Sequence, residues 1–198
     1  DAVVAIGGDR IGRYTLDWPR AGGFTIVGAA RSGRSSTLAL LAHQLAWSGM
    51  PVTVVGTPDT PLAEVANTHG LPLLNLETPE EEVAAALTAR EQRLTIIVDD
   101  AERLRSTPLE KSLTAAKGHS VFIAAIASAS VAGAVAGPFA EARRAGRGLL
   151  LSPTSSILGT QTFETSIPKH LVGRGNPGRG VLFLNGGYLP VQVPDVRS

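Results

Sequence analysis

The sequence predicts an α/β domain with a mostly parallel central sheet, helices on both of its faces and a C-terminal edge β-hairpin. Three observations point there. Short, nearly apolar segments alternate with segments of helical period, the pattern of a parallel sheet covered on both sides. A glycine-bearing loop joins an early apolar segment to the helix after it. Near the other end, Asn185-Gly186-Gly187 separates two β-rich runs, a strong hairpin signal.

Taken in order, residues 3–6 and 14–18 read as a strand pair around a Gly7-Gly8-Asp9 turn. Residues 24–27 form a short buried strand ending in Gly28. A helix follows from about Ser35, with Leu38, Leu41, Ala42 and Leu45 at helical spacing and Gly49 as its C-terminal cap. Residues 52–55 give the next strand, and 61–69 a helix closed by Gly70. Residues 71–76 are a short extended piece, where Pro72 suits a strand start or an edge. Thr78, Pro79 and Glu80 open another helix through an N-cap hydroxyl, a first-turn proline and acids near the positive helix end. That helix is expected to reach about Gln92. Residues 94–98 form an apolar strand running into Asp99 and Asp100. Then come a helix at 108–116, a strand at 121–126, a helix at 138–145, a strand at 148–151 and the hairpin arms 181–184 and 188–193. The five core strands are expected in the order 5-1-4-3-2. The stretch 152–179 has little periodicity and ends rich in Gly and Pro. A loop that long is usually functional or wraps a neighbour.

The 198 residues suffice for one α/β domain with a sizeable core, and the whole of 1–198 reads as one domain. Hydrophobic residues at 43% against charged residues at 18% give a globular, not a disordered, balance. A formal charge of +1 supplies no global basic field to draw in nucleic acid. The absence of cysteine excludes disulfides, thiol nucleophiles and thiolate metal sites. The chain opens at Asp1 with no signal-peptide pattern, and an opening without Met suggests a fragment of a longer protein. Residues 121–139 approach the length of a membrane span. They are rich in Ala, Ser and Gly and broken by Pro138, which suits a buried strand followed by a small-residue turn or helix.

The chemistry concentrates in GAARSGRS, residues 28–35. It fits the phosphate-loop pattern G-x-x-x-x-G-K-[ST] except that Arg34 stands for Lys. A buried strand before it and a helix after it are the context that motif needs. The backbone N–H groups and the helix N-terminus favour a β-phosphate. Gly28, Arg31, Ser32, Gly33, Arg34, Ser35 and Ser36 form the expected nucleotide-binding set, with Thr37 beside Ser36 for the α-phosphate. Ser35 would place its hydroxyl on Mg²⁺. Arg34 keeps the charge of lysine on a longer, planar group, so binding is expected to survive more readily than hydrolysis. The alternative is a strand–helix turn with no ligand.

The second half of the site is LTIIVDD, residues 94–100. An apolar strand ending in an acid is the Walker B pattern, and Asp99 would hold Mg²⁺ through water. Asp100 stands where many such ATPases carry a Glu that activates water, one methylene shorter. The alternative is that the pair only caps a strand. Arg143, Arg144 and Arg147 cluster near a helix C-terminus, where a solvated cluster competes with an arginine finger, Arg143 or Arg144, acting across a subunit boundary. Ser128 is the only nearby candidate to sense a terminal phosphate. His43, His69, His119 and His170 lack ligand spacing.

These residues together define a RecA-like P-loop NTPase. GAARSGRSST, TIIVDDAERL, FAEARRAGRGLLLSP and NPGRGVLFLNGGYLPVQVP resemble FtsK/SpoIIIE-type ATPase domains, most of all the C-terminal module of EccC-type proteins of type VII secretion. The likeness runs from about Val3 to Pro194, and its GLLLSP and PGRG…VQVP pieces are the more specific ones. The resemblance implies ATP and Mg²⁺ as ligands and companion ATPase modules in the same chain or ring. It further implies tethering at the inner face of the bacterial membrane by segments outside this one. Recognition of the C-terminal signal of a small helical WXG-type effector also follows from it, in a groove flanked by the helices after the phosphate loop or by 152–179. Degenerate catalytic positions, common in the later modules, suit Arg34 and Asp100. A DNA-translocating motor and a vestigial P-loop domain that only binds protein remain alternatives, although no dense basic surface favours nucleic acid.

Overall fold

The computed structural model describes residues 2–8, 11–88, 91–173 and 176–194, the Pro19 side chain excepted. Its strands are β1 (Ala2–Gly7), β2 (Gly12–Leu16), β3 (Phe24–Gly28), β4 (Val52–Val55) and β5 (Leu73–Leu74), then β6 (Leu94–Val98), β7 (Ser120–Ala127), β8 (Gly148–Leu151), β9 (Arg179–Leu184) and β10 (Gly187–Gln192). Its α-helices are α1 (Trp18–Ala21), α2 (Arg34–Trp47), α3 (Pro61–His69), α4 (Glu80–Ala86), α5 (Pro108–Ala115), α6 (Gly137–Arg143) and α7 (Ile157–Phe163).

The strands join in one sheet, in the order β2-β1-β10-β9-β8-β3-β7-β6-β4-β5. From β8 to β5 every pairing is parallel, and the strands expected there follow the expected 5-1-4-3-2 order. From β8 to β2 every pairing is antiparallel. The C-terminal hairpin β9–β10 therefore flanks the parallel block, but it is not the outer edge. Strand β1 pairs with β10 through Ile6↔Gln192 and Gly7↔Val191, and the N-terminal hairpin extends the sheet outward to β2.

Alternation along each buried strand builds two cores. Ile26, Val54, Ile97, Ile123 and Leu149 pack against Leu38, Leu41 and Leu45 of α2 and Leu62 of α3. Their chain neighbours Val27, Val55, Ile96, Phe122 and Leu150 face the opposite layer, with Val83 of α4, Leu113 of α5, Phe139 of α6 and Leu158 of α7. Successive residues of a strand point to opposite faces, so a strand buried on both sides must be apolar throughout.

Local chemistry explains several helix starts. Thr60 accepts from the Ala63 N–H and Thr107 from the Glu110 N–H, both at 3.2 Å, and each is followed by a first-turn proline. Thr78 behaves otherwise. Its hydroxyl accepts from the Asn75 N–H at 2.8 Å, inside a turn, so α4 begins at Glu80 with no side-chain cap and ends at Ala86, short of Gln92. Ala89 and Arg90, within the expected helix, lie outside the described residues, as does Asp9 of the first turn. The 152–179 stretch is not all loop. It contains α7 and a 3₁₀ turn at Lys169–Leu171, with Arg174 and Gly175 outside the described residues. Residues 121–139 divide into β7, a 3₁₀ turn and the start of α6. Among the described residues no helix is long and apolar enough to cross a membrane.

Candidate nucleotide site

Strand β3 carries Gly28 to the C-terminal end of the parallel block, between Ala127 of β7 and Leu151 of β8. The chain then doubles back, and a Cβ on Gly28 would overlap the Ser32 hydroxyl and crowd Leu151. Ser32 is buried, its N–H donates to the Ala29 carbonyl at 3.2 Å, and its hydroxyl has no partner. Arg31 and Gly33 take left-handed φ of 63° and 99°, which curls the loop into the start of α2. Gly33 offers no side chain to cap that 14-residue helix. The first-turn N–H groups and the positive helix end thus stay available to an anion.

A distant segment holds the loop from behind. The Gly178 N–H donates to the Ser32 carbonyl at 3.1 Å, and the Gly178 carbonyl accepts from the Val193 N–H at 2.9 Å. The Gln192 side-chain amide bonds the Pro177 carbonyl at 2.8 Å. The Pro177-Gly178 stretch is therefore part of the site's frame, and nothing local in the sequence couples it to Ser32.

Strand β6 delivers the acids. Asp99 is buried at 5% exposure and its N–H donates to the Val55 carbonyl at 2.9 Å. Burial pushes the Asp99 carboxyl above the usual carboxylate value. A hydrogen bond from Ser35 opposes that, the neighbouring Asp100 charge adds to it, and the Asp100 N–H and the Arg34 charge pull back. The phosphate-loop serine thus lies close enough to the Walker B aspartate to act on its carboxyl, an arrangement that suits a Mg²⁺ site of this kind. Beside them lies a cleft of about 190 Å³ lined by Val55, Thr57, Leu76, Asp99, Asp100 and Arg103.

Asp100 sits at φ 46°, and its N–H donates to Asp99 Oδ1 at 2.9 Å. Its carboxylate accepts from Arg34 Nη2 at 2.8 Å. Arg34 Nη1 lies 3.8 Å from Glu102 Oε1. Glu102 Oε1 also accepts from the Ala127 N–H, at the end of β7, at 3.2 Å. Glu102 thus occupies the strand end beside which the sequence offered only Ser128. It went unread because its role depends on β6 and β7 lying side by side.

Other expectations fare differently. Thr37 is fully buried and donates to the Gly33 carbonyl at 2.8 Å, so its hydroxyl is spent on the loop and is not available to a phosphate. Arg143 and Arg144, expected to act across a subunit boundary, lie away from this chain's own site. Helix α6 runs back along the sheet, so its C-terminus lies by the start of β3, where Arg147 bonds the Ala21 carbonyl at 3.1 Å and accepts from the Thr25 N–H. Arg143 bonds the Gln161 carbonyl at 3.4 Å and stands over the Phe139 ring, while Arg144 pairs with Glu141. His43 and His69 hydrogen-bond each other at 2.9 Å between α2 and α3, and His119 meets the Leu87 carbonyl at 3.0 Å. Among the described residues no group of three His, Asp or Glu could hold a metal.

No family model matches the chain, and no curated relative matches it. Solved structures do. The cytoplasmic domain of the type VII secretion ATPase EccC from Thermomonospora curvata matches at a TM-score of 0.71 and 16% identity, over 100% of this chain and 26% of that one. ATPases 2 and 3 of the EccC of the same organism, in complex with a signal sequence peptide, match at 0.69 and 17%, over 100% and 41%. ATPases 2 and 3 of EssC from Geobacillus thermodenitrificans match at 0.70 and 15%, over 98% and 40%. This chain spans less than half the length of each of these. At such identities the likeness is one of fold, and the chain has the P-loop ATPase fold that its motifs led us to expect.

Proposed function

We propose that the chain is a nucleotide-binding module of a type VII secretion motor, one FtsK/SpoIIIE-type domain of a longer protein, that binds Mg²⁺-ATP and hydrolyses it slowly or not at all. The observation that carries this reading is the convergence, at the end of the parallel block, of an uncapped α2, the buried Asp99 beside Ser35 and Arg34 bound to Asp100. The residues present fit the ligand. Gly28, Arg31, Ser32, Gly33, Arg34, Ser35 and Ser36 would surround phosphate, and Ser35 with Asp99 would hold Mg²⁺. When bound, the metal would neutralise phosphate charge.

Hydrolysis is disfavoured because Arg34 puts a longer, planar cation where a lysine would sit, and Asp100 is one methylene shorter than the Glu that would orient water. The partners follow from the same reading: companion ATPase modules, and the C-terminal signal of a small helical WXG-type effector. The module acts on the cytoplasmic side of a membrane-anchored complex, where it regulates assembly. The EccC structure solved with a signal sequence peptide supports that choice of partner. Arg143 and Arg144 are left to contacts with neighbouring modules.

Calorimetric titration of the chain with ATP, with and without Mg²⁺, tests the core of this. Micromolar binding is expected, weakened about tenfold by Ser35→Ala in Mg²⁺ only, the equivalent of about 1.4 kcal/mol. Rapid hydrolysis stimulated by double-stranded DNA would replace this reading with that of a DNA motor. No binding at sub-millimolar ATP would leave a protein-binding module.

A further inference from the structure

We infer that Asp100 sets the affinity of this site for nucleotide by competing with phosphate for Arg34. The inference rests on the nucleotide-binding reading above and adds a regulator inside the site. Arg34 is the only cation of the phosphate loop that is largely buried, with its side chain 13% exposed, and it is already paired. A polyphosphate that engages Arg34 must take the guanidinium from Asp100. The exchange is one ion pair for another, not a gain of a new one, so the charge that makes the loop attractive is masked until Asp100 lets go.

Three features make the pair exchangeable. It is single-pronged, through Nη2 and Oδ1 at 2.8 Å, and lacks the second parallel bond that makes arginine–carboxylate pairs strong. Arg34 Nη1 is buried without a partner, and so is Oε2 of Glu102, whose Oε1 lies 3.8 Å from that nitrogen. The guanidinium therefore has a second carboxylate at hand and need not lose its charge partner when it leaves Asp100. Asp100 is 37% exposed and held at φ 46°, a conformation non-glycine residues adopt sparingly, with its N–H on Asp99. A cation taken up by Asp99 would compete for the oxygen that anchors that N–H. Metal and phosphate would thus loosen the same residue from two sides.

The test is a double-mutant cycle read by ATP titration in EDTA, where Mg²⁺ plays no part. Asp100→Asn removes the charge and keeps a residue type that tolerates left-handed φ. It is expected to bind ATP about tenfold more tightly than the parent chain. In an Arg34→Met background, which keeps the apolar stem, Asp100→Asn is expected to change affinity by less than about twofold. Thermal melts confirm that each variant is folded. An equal gain in both backgrounds overturns the inference, because it would mean that Asp100 merely repels phosphate. Equal affinity of D100N and the parent overturns it too, while the nucleotide-binding reading stands. Binding by D100N with none by the parent is the expected result in its extreme form. Absence of binding by every variant removes both.

Discussion

Asp99 meets burial, a serine hydroxyl, a backbone N–H and an arginine within one site, and burial wins, since its carboxyl titrates above the usual value. The sign follows. A carboxyl raised on folding favours the folded state fully below its unfolded value of 3.8, and that contribution is lost as pH rises through the folded value. At neutral pH the charged Asp99 therefore opposes folding, a cost that the proposed Mg²⁺ role would account for. Asp99→Asn is expected to raise the thermal midpoint of the nucleotide-free chain at pH 7, to flatten its pH dependence above 3.8, and to abolish the Mg²⁺-dependent part of ATP binding. Melting curves over a pH series check the first two, and a midpoint that falls at pH 7 refutes the account. At this scale the sequence was informative where spacing is local. Gly28, Gly33, Ser35 and Asp99 stand in runs whose order is itself the signal. Glu102, Gly178 and the pairing of Arg34 with Asp100 were not legible, because each depends on two strands or loops meeting across the sheet.

Elements with explicit start signals fell where expected. Thr60-Pro61 and Thr107-Pro108 cap α3 and α5. Thr78-Pro79 carries the same letters, yet Asn75 takes the hydroxyl first, so an identical motif begins no cap. Helix α7 has the sequence ILGTQTF, with an interior glycine and two threonines, all weak helix formers. It holds through packing: Leu158 and Thr162 are buried, and a Cβ on Gly159 would meet Thr165 and Ile167. Strand β8 depends on a similar close approach. A Cβ on Gly148 would overlap the Thr25 carbonyl and crowd Phe163. Gly148→Ala is expected to destabilise the chain by about 2 kcal/mol, as overpacking of a core does, and to weaken ATP binding through displacement of β3. Urea unfolding measures it, and an unchanged midpoint would show that the strand yields freely.

The arrangement of the whole sheet was legible in its parallel half, where alternating apolar strands and helices admit few orders. In the antiparallel half the two hairpins, β1–β2 and β9–β10, were legible from their turns, but the pairings of β10 with β1 and of β9 with β8 were not, because hydrogen bonds between distant strands leave no mark in composition. Strand β1 meets β10 over only two residue pairs, and the Gln44 side chain secures it by bonding both the N–H and the carbonyl of Val3, at 2.8 and 2.9 Å. The periphery is thus held by fewer bonds than the centre. Amides of β1 and β2 are expected to exchange hydrogen well before those of β3, β6 and β7, and Gln44→Ala to widen that gap. Uniform protection across the sheet would contradict this. Mass-spectrometric exchange on the intact chain gives the answer.

The strand order also governs how the molecule comes into being. Strand β3 carries the phosphate loop and is made well before the strands on either side of it, β7 and β8, which begin at residues 120 and 148. At roughly 5–20 residues per second, ribosomes leave β3 without its neighbours for about 5–20 seconds. During that interval a fully apolar strand has no native partner and invites wrong ones. Gly178, which holds Ser32 from behind, is made later still. A nascent chain therefore cannot complete its phosphate loop, or draw on nucleotide to assist the folding of this domain, until Gly178 has left the ribosome.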